Sequence, residues 1–107
     1  MNLPKITVLV AVSLLSWASV AVADGDPERG KVLAETCLGC HAVDGYYNVY
    51  PTYRVPRLGG QNAKYIESAL KAYKTGGRNH GSMQANATSL SDQDMADIGA
   101  FLESHGK

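Results

Sequence analysis

Apolar positions along this 107-residue chain fall into three regimes. Residues 6–15 form an almost unbroken apolar run, from Ile6 to Leu15, with only Thr7 and Ser13 interrupting it. Between Asn62 and Lys74 the spacing becomes helical: Tyr65, Ile66, Ala69, Leu70 and Tyr73 share one face, and Lys64, Glu67, Lys71 and Lys74 the other. Near the C-terminus Met95, Ile98, Phe101 and Leu102 form a second helical stripe. Stretches 42–61 and 78–88 keep neither the helical nor the strand period. Gly45, Pro51, Pro56, Gly59 and Gly60 punctuate the first, and the second is rich in Asn, Gly and Ser, so both are predicted to be long ordered loops.

Start and stop signals sharpen these elements. Asp26 followed by Pro27 suits the opening of a short helix running to about Thr36, because the carboxylate accepts from orphan amides and proline lacks the N–H that would be orphaned. Gly76-Gly77 ends the middle helix. Ser91 with Asp94 three residues on is a shortened capping box, and Leu90 is placed to staple against Met95. No alternation over four or more residues supports a sheet, and no fixed-period repeat occurs. The predicted fold class is all-α.

The N-terminal run changes how composition is read. The hydrophobic set makes up 45% of the chain, but sixteen of the first 23 residues belong to it. Lys5, the apolar run and Ala21-Val22-Ala23 form an export signal with cleavage expected after Ala23, leaving one domain over residues 24–107. The alternative is an uncleaved membrane anchor, since residues 6–22 approach the roughly 17-residue minimum for crossing a bilayer; Thr7, Ser13, Ser16 and Ser19 weaken it. After cleavage no stable membrane insertion is expected. The remaining domain has few large apolar side chains for a self-sufficient core and needs a staple. Two cysteines exclude a disulfide-rich scaffold, and ten basic against ten acidic residues exclude nucleic-acid binding driven by net charge.

Cys37-Leu38-Gly39-Cys40-His41 supplies the staple: it fits the C-x-x-C-H pattern of covalent haem attachment. Two thiols at this spacing add to the two vinyl groups on one haem edge, giving one haem c held by two thioethers, and His41 follows beneath the iron as proximal ligand. Three rivals use the same cysteines. A thioredoxin-like pair needs a βαβ setting that the pattern lacks. A zinc site needs two further close ligands, yet His80 and His105 lie far apart in sequence. A disulfide across so short a loop confines an unfolded chain very little. For the opposite face of the iron the candidates are Met83, Met95 and His80. Met95 belongs to the apolar stripe of the last helix, whereas Met83 lies in a loop with no helical face to serve and is the favoured sixth ligand. His80 and an open or water-bound position are the alternatives.

With these residues the chain resembles the class I c-type cytochromes, in particular the small bacterial c553 and c4-like branch. The resemblance runs from Gly30-Lys31 through the haem motif and Pro56-Arg57-Leu58-Gly59-Gly60-Gln61 to Leu90-Ser91-Asp92-Gln93-Asp94. It implies a fold in which the first and last helices cross at Gly30, the Pro56 carbonyl orients His41, Leu58 packs on the haem and Met83 completes the coordination. The segment Tyr46-Tyr47-Asn48-Val49-Tyr50-Pro51-Thr52-Tyr53 departs from that branch in its length and tyrosine content.

The function implied is that of a periplasmic monohaem carrier passing single electrons from a redox protein donor to an acceptor, and not an enzyme. The alternatives are a haem subunit of a periplasmic oxidoreductase complex, or a haem enzyme or gas sensor with an open sixth position. Lys64, Lys71, Lys74 and Arg78 are candidates for a basic docking patch, with an ordinary solvated helix face as the plainer reading. Arg54 and Arg57 are candidates to pair with a haem propionate. The tyrosine segment either packs around the haem or forms a docking surface, and His105 is expected to be solvent-exposed or at a helix end.

Overall fold

In the computed structural model, residues 25–43, 45–50 and 52–105 are described. The export signal expected over residues 1–23 and its cleavage point lie outside them. Five helices and one hairpin follow in order: α1 (Pro27–Leu33), α2 (Glu35–His41), β1 (Tyr47–Val49), β2 (Thr52–Arg54), α3 (Ala63–Thr75), α4 (Gly81–Ala87) and α5 (Asp92–Ser104).

The predicted caps operate as expected. The Asp26 side chain accepts from the Glu28 N–H with Pro27 in the first turn; at α3, which begins at Ala63, Asn62 supplies a cap the spacing did not identify, accepting from the Tyr65 N–H at 3.0 Å. Gly76 closes α3 in the left-handed region at φ 87°. Ser91 and Asp94 form a reciprocal capping box at the start of α5, and Leu90 and Met95 belong to the same apolar cluster.

Three expectations are corrected. The first helix ends at Leu33, short of Thr36, and bends at fully buried Ala34 into α2. Hydrogen bonding continues through the bend, from the Ala34 N–H to Gly30 O at 2.8 Å and from the Leu38 N–H to Ala34 O at 3.1 Å. Part of the expected first loop is an antiparallel hairpin pairing Tyr47 with Arg54, Asn48 with Tyr53 and Val49 with Thr52. Its three-residue strands are too short to show alternation, but the β-branched and aromatic side chains suit extended backbone. Residues 81–87 of the second expected loop form α4. Gly81, Ser82 and Asn86 are poor helix formers, so its stability comes from docking Ala87 and Met83 against the core and not from propensity. The mostly helical fold class stands.

The core consists of Ala34, Ile66, Leu70, Ala87, Met95, Ile98, Phe101 and Leu102. The α5 stripe is buried as expected, and on α3 Ile66 and Leu70 are buried while Tyr65 is half exposed. Tyr65 sits at the edge of the stripe, where the helical angle already turns toward water. Helix α5 packs against both α1 and α3, and a glycine sets each approach. A Cβ on Gly30 would lie 1.9 Å from the Asp97 carbonyl oxygen, and one on Gly99 would lie 2.6 Å from that of Ala63. Backbone therefore meets backbone at the Gly30 crossing.

The same crossing contains a buried carboxylate. Asp97, 1% exposed, accepts from the Asp26 N–H at 2.7 Å, from Arg29 Nη1 at 2.6 Å and from Gln93 Nε2 at 2.8 Å. Arg29 Nη2 reaches Asp94 at 2.6 Å. Burial pushes the Asp97 carboxyl upward, but the contacts from Arg29, the Asp26 amide and Gln93 outweigh it, and the group is held below the ordinary aspartate value. Asp94 is lowered as well, first by the Ser91 backbone N–H and then by Arg29.

Because both pKa values are depressed on folding, their contribution is complete above the unfolded aspartate value of about 4 and is lost as pH falls through the lower folded values. Asp97→Asn is therefore expected to cost about 1.5–3 kcal/mol at neutral pH, the range for a hydrogen bond to a charged partner; the half-exposed Arg29 adds little because water screens it. Urea titrations at pH 7 and pH 3 check this: the gap between parent and variant should be widest at pH 7 and narrow at pH 3.

Candidate cofactor site

Helix α2 places the whole motif on one surface. Cys37, Cys40 and His41 stand at positions i, i+3 and i+4, so two thiols and an imidazole share a helical face. Cys37 and Cys40 do not form a disulfide; Cys37 is half-buried and Cys40 exposed. Burial pushes the Cys37 thiol up, with a hydrogen bond from Thr36 opposing and neighbouring Cys40 adding to the rise. This is the reverse of what a thioredoxin-like nucleophile needs, which is a stabilised thiolate. Among the described residues no group of three His, Cys, Asp or Glu side chains comes together to hold a metal ion, so the zinc rival has no ligand set there.

His41 is buried, and its Nδ1 lies 2.6 Å from the Pro56 carbonyl oxygen. A carbonyl only accepts, so Nδ1 carries the proton and Nε2 keeps its lone pair. The ring is thereby fixed in orientation and tautomer, with the coordinating nitrogen on the other side. Two further contacts hold the irregular segment after β2 that supplies Pro56. The Leu58 N–H reaches His41 O at 3.4 Å, and the Gly60 N–H donates to Leu102 O on α5 at 2.7 Å. Leu38, His41, Ala42, Arg57, Gly59, Leu102 and His105 line a cavity of about 150 Å³ beside the imidazole. Of the two arginine candidates, Arg57 is at this cavity and Arg54 is exposed at the end of β2. His105 ends α5, exposed as expected, and stacks on Phe101 with ring centres 4.7 Å apart.

The three candidates for the opposite axial position separate clearly. Met95 is fully buried in the core. His80 caps α4, its Nδ1 facing the Met83 N–H at 3.5 Å, the long limit of a hydrogen bond. Met83 is half-buried on α4, not in a loop, and packs against the same cluster as Leu38 and Leu58. Two thiols and an imidazole whose Nε2 is free, on one helix face beside half-buried Leu38, fit a covalently held porphyrin.

The candidate basic patch is engaged locally. Lys64 pairs with Glu67 at 3.2 Å, Lys71 with Asp92 at 3.7 Å, Lys74 donates to the Leu90 carbonyl and Arg78 lies over the Tyr73 ring at 4.7 Å. That is the solvated helix face. The tyrosine segment divides: Tyr47, Val49 and Tyr50 face water, whereas Tyr53 turns inward to α4, its hydroxyl 3.0 Å from Ser82 Oγ. Sequence reasoning missed that contact and the Arg29–Asp97 network, because neither belongs to a local spacing pattern.

Comparison with known proteins agrees with this geometry. Residues 27–106 match the family model described as cytochrome c. The chain is 43% identical over 83 residues to cytochrome c-554(548) of Halomonas halodenitrificans, covering 75% of this chain and 96% of that protein. It is 35% identical over 104 residues to cytochrome c4 of Pseudomonas aeruginosa, covering 97% of this chain but 49% of the relative. A solved structure of Acidithiobacillus ferrooxidans cytochrome c4 superposes with a TM-score of 0.61 at 27% identity, over 80% of this chain and 53% of that one. The chain thus spans about half the length of these c4 relatives.

Met95 and Met83 should respond differently to truncation. Met95→Ala is expected to lose about 2–5 kcal/mol in denaturant unfolding, the cost of a fully buried cavity, and to leave the visible spectrum of the folded protein unchanged.

Proposed function

This chain belongs to the cytochrome c family, whose members hold haem c covalently and pass single electrons, and on that footing we propose that it is a monohaem electron carrier of the periplasm with His41 and Met83 as its axial ligands. When bound, haem c supplies a one-electron couple between ferrous and ferric iron. The residues of this chain do the rest. Cys37 and Cys40 would hold the haem through two thioethers, and His41 would present Nε2 to it while the Pro56 carbonyl keeps Nδ1 protonated. Met83 would offer a soft thioether, a donor that favours the ferrous state and raises the potential. Leu38 and Leu58 keep water from the centre, which disfavours the extra charge of the oxidised state.

The observation that carries this reading is the 2.6 Å contact between His41 Nδ1 and Pro56 O, made by the residue that directly follows two thiols on one helix face. Were His41 and Met83 both to hold the iron, no position would remain for a substrate or gas, and that is what distinguishes a carrier from a haem enzyme or sensor. The periplasmic setting rests on the expectation that residues 1–23 are a cleaved export signal. Among the described residues no helix is long and apolar enough to cross a membrane. A second reading, the same chemistry as a subunit of a larger oxidoreductase, is favoured by a 29% identical relative named as the cytochrome subunit of sulfide dehydrogenase, from Chlorobaculum tepidum. Exposed Tyr47, Val49 and Tyr50 are suited to either kind of redox partner.

Carbon monoxide tests the axial assignment. The ferrous parent protein is expected to bind it negligibly at neutral pH, and Met83→Ala to bind it rapidly and show a lowered reduction potential. Rapid binding by the parent would instead favour an open-site enzyme or sensor.

A further inference from the structure

One residue of the tyrosine hairpin reaches the helix that carries Met83. Strand β2 holds Tyr53 opposite Asn48. The base of the hairpin is closed by the Val55 N–H donating to Tyr46 O at 2.9 Å, and buried Val55 anchors it to the body of the domain. From this frame the Tyr53 hydroxyl meets Ser82 Oγ at 3.0 Å across 29 residues of sequence. The Tyr53 ring meets the His80 ring edge-on, with centres 4.6 Å apart. His80 in turn faces the Met83 N–H and is backed at 6.5 Å by Tyr73 of α3. The first turn of α4 is thus gripped by the hairpin on one side and by α3 on the other.

Helix α4 needs such support. It has seven residues, no acidic side chain in its first turn and no basic one in its last, and isolated helices of this length do not persist in water. Its tertiary contacts therefore decide how firmly Met83 is held, and Tyr53 makes two of those contacts at the turn that contains Met83.

We propose that Tyr53, through its hydroxyl contact with Ser82 and its ring contact with His80, is a positioning residue that latches the first turn of α4 and so holds the Met83 thioether in place. This rests on Met83 being an axial ligand. A loosened latch raises the fraction of molecules in which the thioether has left, and an added ligand binds in proportion to that fraction.

The experiment uses the ferric holoprotein and imidazole as the competing ligand. Tyr53→Phe removes the hydroxyl but keeps the ring, and is expected to raise the apparent imidazole affinity about fivefold, the factor one neutral hydrogen bond is worth. Ser82→Ala should give the same increase, and the double variant no more than either, because both remove one contact. Tyr53→Ala, losing the ring edge as well, should exceed them. In a Met83→Ala background Tyr53→Phe should have no effect, a result that general destabilisation would not give.

The proposal is overturned if Tyr53→Phe leaves the parent affinity unchanged, or if it raises affinity equally in the Met83→Ala background. If the parent lacks the sulfur-to-iron charge-transfer band of the ferric state and Met83→Ala does not change imidazole affinity, the axial assignment itself fails and the latch with it. That outcome is distinct from a parent with an intact band that does not respond to Tyr53→Phe.

Discussion

The contact between His41 Nδ1 and the Pro56 carbonyl is the constraint around which the molecule is arranged. It fixes one nitrogen as a donor so that the other keeps a free lone pair, and it brings the segment after the hairpin against α2. That segment can do so only because Gly60 is tied to Leu102 of α5, and α5 is held in turn by the backbone approach at Gly30 and by Asp97 beneath Arg29. A chain of short-range contacts therefore runs from the helix crossing to the imidazole ring. The half-buried apolar side chains around the site, Leu33, Leu38, Leu58 and Met83, are grouped on the outside of a small core, as expected of a domain completed by a cofactor.

How legible this was in the sequence depended on the kind of information each feature carries. Helices α3 and α5 were readable because their apolar spacing and caps are local, down to Gly76 and the Ser91–Asp94 box. The motif on α2 was readable because covalent chemistry fixes its spacing. Helix α4 was not, since Gly81, Ser82 and Asn86 argue against a helix and only docking onto the core stabilises one. The hairpin was missed because strands of three residues have no period to detect. The buried Asp97 resembled one more polar position on an amphipathic helix; its partners Asp26 and Arg29 lie about 70 residues away. The family resemblance, and not any spacing, supplied the expectation that Pro56 faces His41.

The arrangement divides labour between rigid and adjustable parts. The crossing of α1 and α5 and the strap from Pro56 to Gly60 hold the histidine side through backbone contacts that admit little change. Met83 sits on a short helix contacted by side chains from the hairpin and α3, and the tip of the hairpin, Val49 and Tyr50, faces water.

The central claim is that a haem is joined to this chain through Cys37 and Cys40. Mass spectrometry of the exported protein, denatured and extracted with acidified acetone, tests it most directly. The expected result is a single species heavier than the cleaved polypeptide by one haem, reduced to the bare polypeptide mass when both cysteines are replaced by alanine. A parent protein that emerges from extraction at the polypeptide mass, having released its pigment or never carried any, would contradict the account.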